Sequence, residues 1–181
     1  MDGGTHTVAS IIARIIARFP AFRVQDNPYY RIYVPSGMRR LWQLLEFISV
    51  LPILLAKFIL PSILGYTVIA ERYVPDFLVW VSLTTRDEDY LKRLEARFML
   101  TLSMKADARV YVTASEVELA RRRGGEVDQG FLSRQVKLYD RLAKLVKAYK
   151  IDTTGRSVEE TLNELISLVQ PLVARDGGAF A

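Results

Sequence analysis

The chain has 181 residues, half of them hydrophobic and a quarter charged, with a formal net charge of +5 and no cysteine. That length suits one domain with its own core, the composition excludes collagenous and disordered classes, and the lack of cysteine excludes a disulfide framework, a thiolate metal site and a cysteine nucleophile. The positive charge points to an anionic partner, for which nucleotide phosphate, nucleic acid and a membrane surface all qualify, and a cysteine-free chain without a signal-like N-terminus reads as cytoplasmic.

The first ten residues, MDGGTHTVAS, carry the glycines and hydroxyls of a phosphate-binding loop but not its lysine. From Val8 the apolar positions Val8, Ile11, Ile12, Ile15, Ile16 and Phe19 recur at three and four, with Arg14 and Arg18 opposite. This predicts an amphipathic helix ended by Pro20. An extended stretch at Phe22 to Val24 follows, then the turn-rich DNPYYRIYVPSG, and Met38 to Ser49 resumes helical spacing.

Phe47 to Ala70 is almost entirely apolar and long enough to span a bilayer, which takes roughly 20 residues. Pro52 and Pro61 are expected to break the helix, Lys57 sits at the centre, and Gly65 precedes the β-branched TVIA. The reading preferred on those breakers is a buried helix followed by a strand, Tyr66 to Ala70, buried on both faces and ending in Glu71-Arg72-Tyr73. A membrane anchor at Phe47 to Leu64 is the competing reading.

Asp87 to Met104 is predicted helical, Ala108 to Thr113 a second buried strand, and Ser115 to Arg123 a helix opened by a Ser115…Glu118 capping box. Gln129 to Lys147 has helical spacing, Ala148 to Asp152 reads as a strand, and Ser157…Glu160 caps a last helix. Strands alternating with helices predict an α/β fold with a mostly parallel sheet.

A glycine-bearing loop into an apolar helix, GYTVIAERYVPDF, ARVYVTASEVELARRRGGEVD and IDTTGRSVEE occur in an order that resembles the thymidylate kinase family of P-loop nucleoside monophosphate kinases. The resemblance runs from Asp2 to about Val173. It implies a three-layer P-loop kinase fold, a mostly parallel sheet flanked by helices, with the first strand missing or rearranged because the chain opens directly on the loop. It also implies one nucleotide-kinase-like domain over residues 1–175, a lid at about 121–130 and a flexible tail at 176–181.

By that resemblance Glu71 stands where the family has an aspartate and orients Mg²⁺, Arg72 grips the acceptor monophosphate, and Tyr73 packs beside the acceptor nucleotide. Arg121, Arg122 and Arg123 precede Gly124-Gly125 as a cationic cluster on a lid joint, suited to stabilising charge on a moving phosphoryl group. Gly3, Gly4, Thr5, His6 and Thr7 would cradle the ATP phosphates, with Thr7 also near the metal, and Thr154 to Arg156 would flank the adenine. Either His6 or Thr5 occupies the lysine position, depending on register. Arg31, Arg39 and Arg40 are candidates for phosphate contact, and Tyr29, Tyr30 or Tyr33 for base stacking.

The implied activity is transfer of the ATP γ-phosphoryl group to dTMP or a similar monophosphate, with ATP and Mg²⁺ as cofactors. A non-catalytic nucleotide-binding homologue that has lost the lysine is the alternative. No nucleic acid partner is expected, since the basic residues are dispersed; no membrane partner is expected, on the strength of Pro52, Pro61, Lys57 and Gly65; and a homodimer through Leu41 to Leu60 is an extension of the resemblance.

Overall fold

The computed structural model describes residues 8–16, 18–19, 34–124 and 128–176. The stretch 22–24, the turn segment before Val34, and the phosphate-loop glycines lie outside them. The fold is mostly helical with a small parallel sheet, a coarse α/β class. The chain falls into two compact units, residues 1–101 and 102–181.

Among its described residues the first unit contains helices and no strand. Helix α1 (Val8–Ile16) lies against α2, the 28-residue helix Ser36–Ile63. The periodicity of α1 predicts its isoleucines facing inward. Instead the small residues Ala9 and Ala13 are fully buried, while Val8, Ile11, Ile15 and Phe19 are all more than half exposed. Alanines allow close approach, and the amide of Ala9 donates to the Ser49 hydroxyl of α2 at 3.3 Å.

Helix α2 corrects the expectation of breaks at the prolines. Its backbone runs through Pro52 and reaches Pro61 by way of a π-helical turn, Leu55–Ile59, in which the amide of Leu60 bonds the carbonyl of Leu55. The wider turn makes room for the ring of Pro61. The helix ends in a Schellman motif: Tyr66 N donates to Pro61 O and Gly65 N to Ser62 O, with Gly65 at φ +84°.

Tyr66 to Ala70, expected as a buried strand, pairs with no strand among the described residues, and Tyr66 and Ile69 are 69% and 93% exposed. Backbone without a neighbouring strand satisfies its polar groups with water and stays at the surface. Nor is the apolar part of α2 buried; only 17% of its most apolar window is covered.

Helix α3 (Val74–Thr84) fills the centre of this unit, with Val74, Phe77, Leu78, Val79, Trp80 and Val81 all buried. Pro75 in its first turn and Asp76 at its positive end were its legible start signals. The predicted helix Asp87 to Met104 is divided by the extended residue Arg93 into a 3₁₀ turn, Glu88–Lys92, and α4 (Leu94–Ser103).

In the second unit β1 (Val110–Thr113) pairs in parallel with β2 (Tyr149–Asp152), Val110 opposite Tyr149 and Thr113 opposite Asp152. The crossover between them consists of α5 (Glu116–Arg122) and α6 (Gln129–Leu145), and α7 (Val158–Asp176) follows β2. Fully buried Ile151 and Leu142 and buried Phe131, Leu132, Leu138 and Val146 make the core. Strand β1 is not buried on both faces as expected, for Val112 is 51% exposed.

Candidate functional site at the carboxyl ends of two parallel strands

In parallel α/β arrangements, ligand chemistry gathers where the strands end in loops. A threonine closes β1 and another follows the last residue of β2. Thr113 and Thr153 stand just beyond the apolar runs of β1 and β2, and the amide and hydroxyl of Thr153 both donate to the carbonyl of Thr113, at 2.8 and 2.9 Å. One residue on, the amide of Ser115 donates to the Thr154 hydroxyl at 2.8 Å. Asp152 receives the Thr154 amide and hydroxyl at 2.9 and 2.6 Å, which hold its carboxyl below the usual range. Gly155 at φ +69° closes the turn that returns the Arg156 amide to Thr153 O.

The three arginines of the predicted lid cluster do different things. Arg122 donates to the Thr153 hydroxyl and carbonyl at 3.0 and 3.1 Å, joining the end of α5 to the end of β2. Arg121 and Arg122 both bind the Glu118 carboxylate, which draws its pKa down to about 2. Arg123 caps α5 and donates to Gln135 at 3.0 Å, and Gly124 follows at φ +61°. One carboxylate therefore faces two guanidiniums, and Arg121, 72% exposed at its side chain, is the one directed toward solvent. Residues 125–127 of the lid lie outside the described residues.

The capping-box expectation at Ser115 holds in half. Its hydroxyl accepts from the Glu118 amide at 3.3 Å, but the Glu118 carboxylate serves the arginines. At Ser157 the box is complete: Glu160 N donates to Ser157 Oγ at 3.1 Å and Ser157 N to Glu160 Oε2 at 2.8 Å. Thr154 and Arg156, read as adenine contacts, are engaged within the fold, Thr154 as above and Arg156 with Glu164.

In the first unit Glu71 and Arg72 lie exposed in the bend before α3, with Arg72 at φ +54°. Tyr73 precedes α3, and its ring meets Phe58 edge-on at 4.9 Å; burial raises its hydroxyl pKa. Arg39 opens the α-helical part of α2, and Arg40 is bound through both guanidinium nitrogens to Glu95. Gly3, Gly4, Thr5, His6, Thr7 and Arg31, with Tyr29, Tyr30 and Tyr33, fall outside the described residues. Among the described residues no group of three or more His, Asp or Glu side chains is placed to hold a metal.

Sequence reading missed a buried polar network in this unit. Gln43 donates to Asp87 at 2.8 Å and to Thr85 at 3.3 Å, while Glu46 and Tyr90 are buried nearby in the same electrostatic set as Glu95 and Arg40. Burial pushes Glu95 up, but the Arg40 bond outweighs it and leaves the carboxyl below its ordinary value. A glutamine and a glutamate three apart within an apolar helix were the signal available. Compared with known proteins, the chain matches no family model, no curated protein and no solved structure.

Proposed function

We propose that the chain is a thymidylate kinase-like phosphotransferase, moving the γ-phosphoryl group of ATP to dTMP or a similar nucleoside monophosphate. The observation that supports it best is the parallel β1–β2 pair joined through helices, with Arg122 seated on the carboxyl end of β2 and Arg121 beside it at the surface. A phosphate-bearing ligand suits such an edge, since guanidinium forms paired charge-assisted bonds to phosphate oxygens. The finer fold, three-layer and P-loop kinase-like, belongs to the same proposal.

In the proposed reaction an oxygen of the acceptor monophosphate attacks the γ-phosphorus, the bond to the β–γ bridging oxygen breaks, and ADP leaves. Arg121, the arginine of the cluster directed to solvent, offsets charge on the moving group, and Arg72 is the acceptor-phosphate residue that the resemblance implies. Mg²⁺, when bound, would be held by Glu71 and would neutralise charge on the phosphates. A single carboxylate, Glu71, fits it, because Mg²⁺ in such sites takes one or two carboxylates and completes its shell with phosphate and water. Without a loop lysine, backbone amides and arginines carry the phosphate charge. The alternative, a nucleotide-binding homologue without transfer activity, shares the same edge.

The test is ATP consumption by the purified full chain with each nucleoside monophosphate in turn, dTMP first, beside Arg72→Ala. Turnover that falls at least tenfold in the variant supports the kinase reading. Nucleotide binding without turnover moves the chain to the non-catalytic reading, and no binding of ATP or monophosphate overturns both.

A further inference from the structure

We infer that a ridge of four cations on the solvent face of α6, Arg134, Lys137, Arg141 and Lys144, docks on the phosphate backbone of double-stranded nucleic acid. The positive charge of this chain has one source. Residues 129–150 carry six basic side chains and one aspartate, a net of +5 that equals the net charge of all 181 residues. The remainder of the chain balances to zero.

Helical spacing turns that run into a line. The four residues are three, four and three positions apart, so at about 100° per residue they fall within a sector of about 80°. All four are exposed, and among the described residues none of them forms an ion pair. Arg134 makes one bond through Nε, to the carbonyl of Gly130 in its own helix at 3.2 Å. Asp140, the aspartate of this segment, is held by Lys150 at 2.7 Å and does not neutralise the ridge. Like charges three and four residues apart repel each other along a helix, and a polyanion laid on the ridge removes that repulsion. Lys147, exposed in the turn that ends α6, extends the charge further.

The dimensions of the ridge and the rest of α6 select the partner. From Arg134 to Lys144 the helix rises about 15 Å, and one strand of a duplex advances about 3.4 Å per phosphate. Four cations therefore meet about four phosphates. A helix lying on a membrane sets a broad apolar face in the lipid beside its cations. In α6 that face, with Phe131, Leu132, Leu138 and Leu142, is buried in the core of the second unit. A protein partner needs apolar surface at the centre of the contact, and Leu145 is the one large apolar side chain of α6 left exposed. Lysine and arginine alone, with no amide side chain among them, hold phosphate without reading sequence.

The experiment is fluorescence anisotropy of a labelled DNA duplex of about 20 base pairs, titrated with the full chain at salt concentrations from about 50 to 200 mM. Four phosphate contacts predict a slope of about −3.6 for log K against log salt, a loss of roughly 100-fold in affinity over that range. Lys137→Gln/Arg141→Gln should halve the slope to about −1.8. Arg97→Gln/Lys105→Gln, which removes the same charge from exposed positions away from α6, should leave it unchanged. Lys137→Arg/Lys144→Arg keeps every charge and should bind as the native chain does. No binding at the lowest salt, or an equal loss in both glutamine variants, overturns the inference. So does tighter binding to phosphatidylglycerol vesicles or to polyglutamate than to the duplex, which would assign the ridge to a membrane surface or to an acidic protein.

Discussion

Arg122 reaches across from the last turn of α5 to Thr153 and donates to both its hydroxyl and its carbonyl, at 3.0 and 3.1 Å, while the same hydroxyl donates to Thr113. Three segments far apart in sequence meet at one threonine. Arg122→Ala is expected to cost about 1 kcal/mol, since each such bond is worth about 0.5–1.5 kcal/mol net and the side chain is partly solvated. Arg122→Lys, which cannot form the fork, should recover less than half of that. Urea unfolding followed by circular dichroism measures both, and an unchanged midpoint in Arg122→Ala would refute the clamp.

Glu118 titrates at about 2 because Arg121 and then Arg122 hydrogen-bond its carboxylate. A depressed carboxylate contributes stability that is complete above its ordinary value near 4.5 and is lost as pH falls toward 2. The thermal midpoint should therefore decline more steeply between pH 4.5 and about 2 in the native chain than in Glu118→Gln. Parallel curves would show that the pairs add nothing to folding.

Lys147 ends α6 in a left-handed conformation, φ +52°, with Lys147 N bonded to Lys144 O and Ala148 N to Ala143 O. This is the position at which a Schellman cap prefers glycine. Lys147→Gly should leave stability unchanged or raise it by up to about 1 kcal/mol, the relief of left-handed strain outweighing the added freedom of the unfolded chain. A loss of 1 kcal/mol or more in thermal or urea unfolding counts against it.

Tyr90 is fully buried, and among the described residues its hydroxyl has no hydrogen-bond partner. Burial, aided by the charges of Glu95 and Glu46, raises its pKa well above the ordinary value near 10. Tyr90→Phe removes a desolvated hydroxyl while keeping the ring, so stability at pH 7 should hold or improve by up to about 1 kcal/mol. A raised phenol contributes stability below pH 10 that is lost above it. The variant should therefore resist alkaline unfolding better than the native chain, and equal loss on titration from pH 9 to pH 12 would contradict this assignment.

Features set within a few residues were legible in the sequence. The Ser157…Glu160 box, the Ser115 cap and the strand cores at 110–113 and 149–152 appear where local pattern places them. Each depends on backbone groups three or four residues apart or on the alternation of one short run, and such information is local. The helix α3 was equally local in its signals, but a helix apolar on every side lacks the periodic contrast that marks amphipathic ones.

Only the tertiary structure decided which faces meet. Periodicity groups the isoleucines of α1 on one side but does not say that Ala9 and Ala13 take the contact with α2. Residues 66–70 have the composition of a strand, yet a strand exists only where a partner supplies the other half of the ladder. Arg40 with Glu95, Gln43 with Asp87 and Arg122 with Thr153 join positions 55, 44 and 31 residues apart. Closing those distances costs chain entropy that packing of the whole unit repays, so no short window of sequence contains the decision.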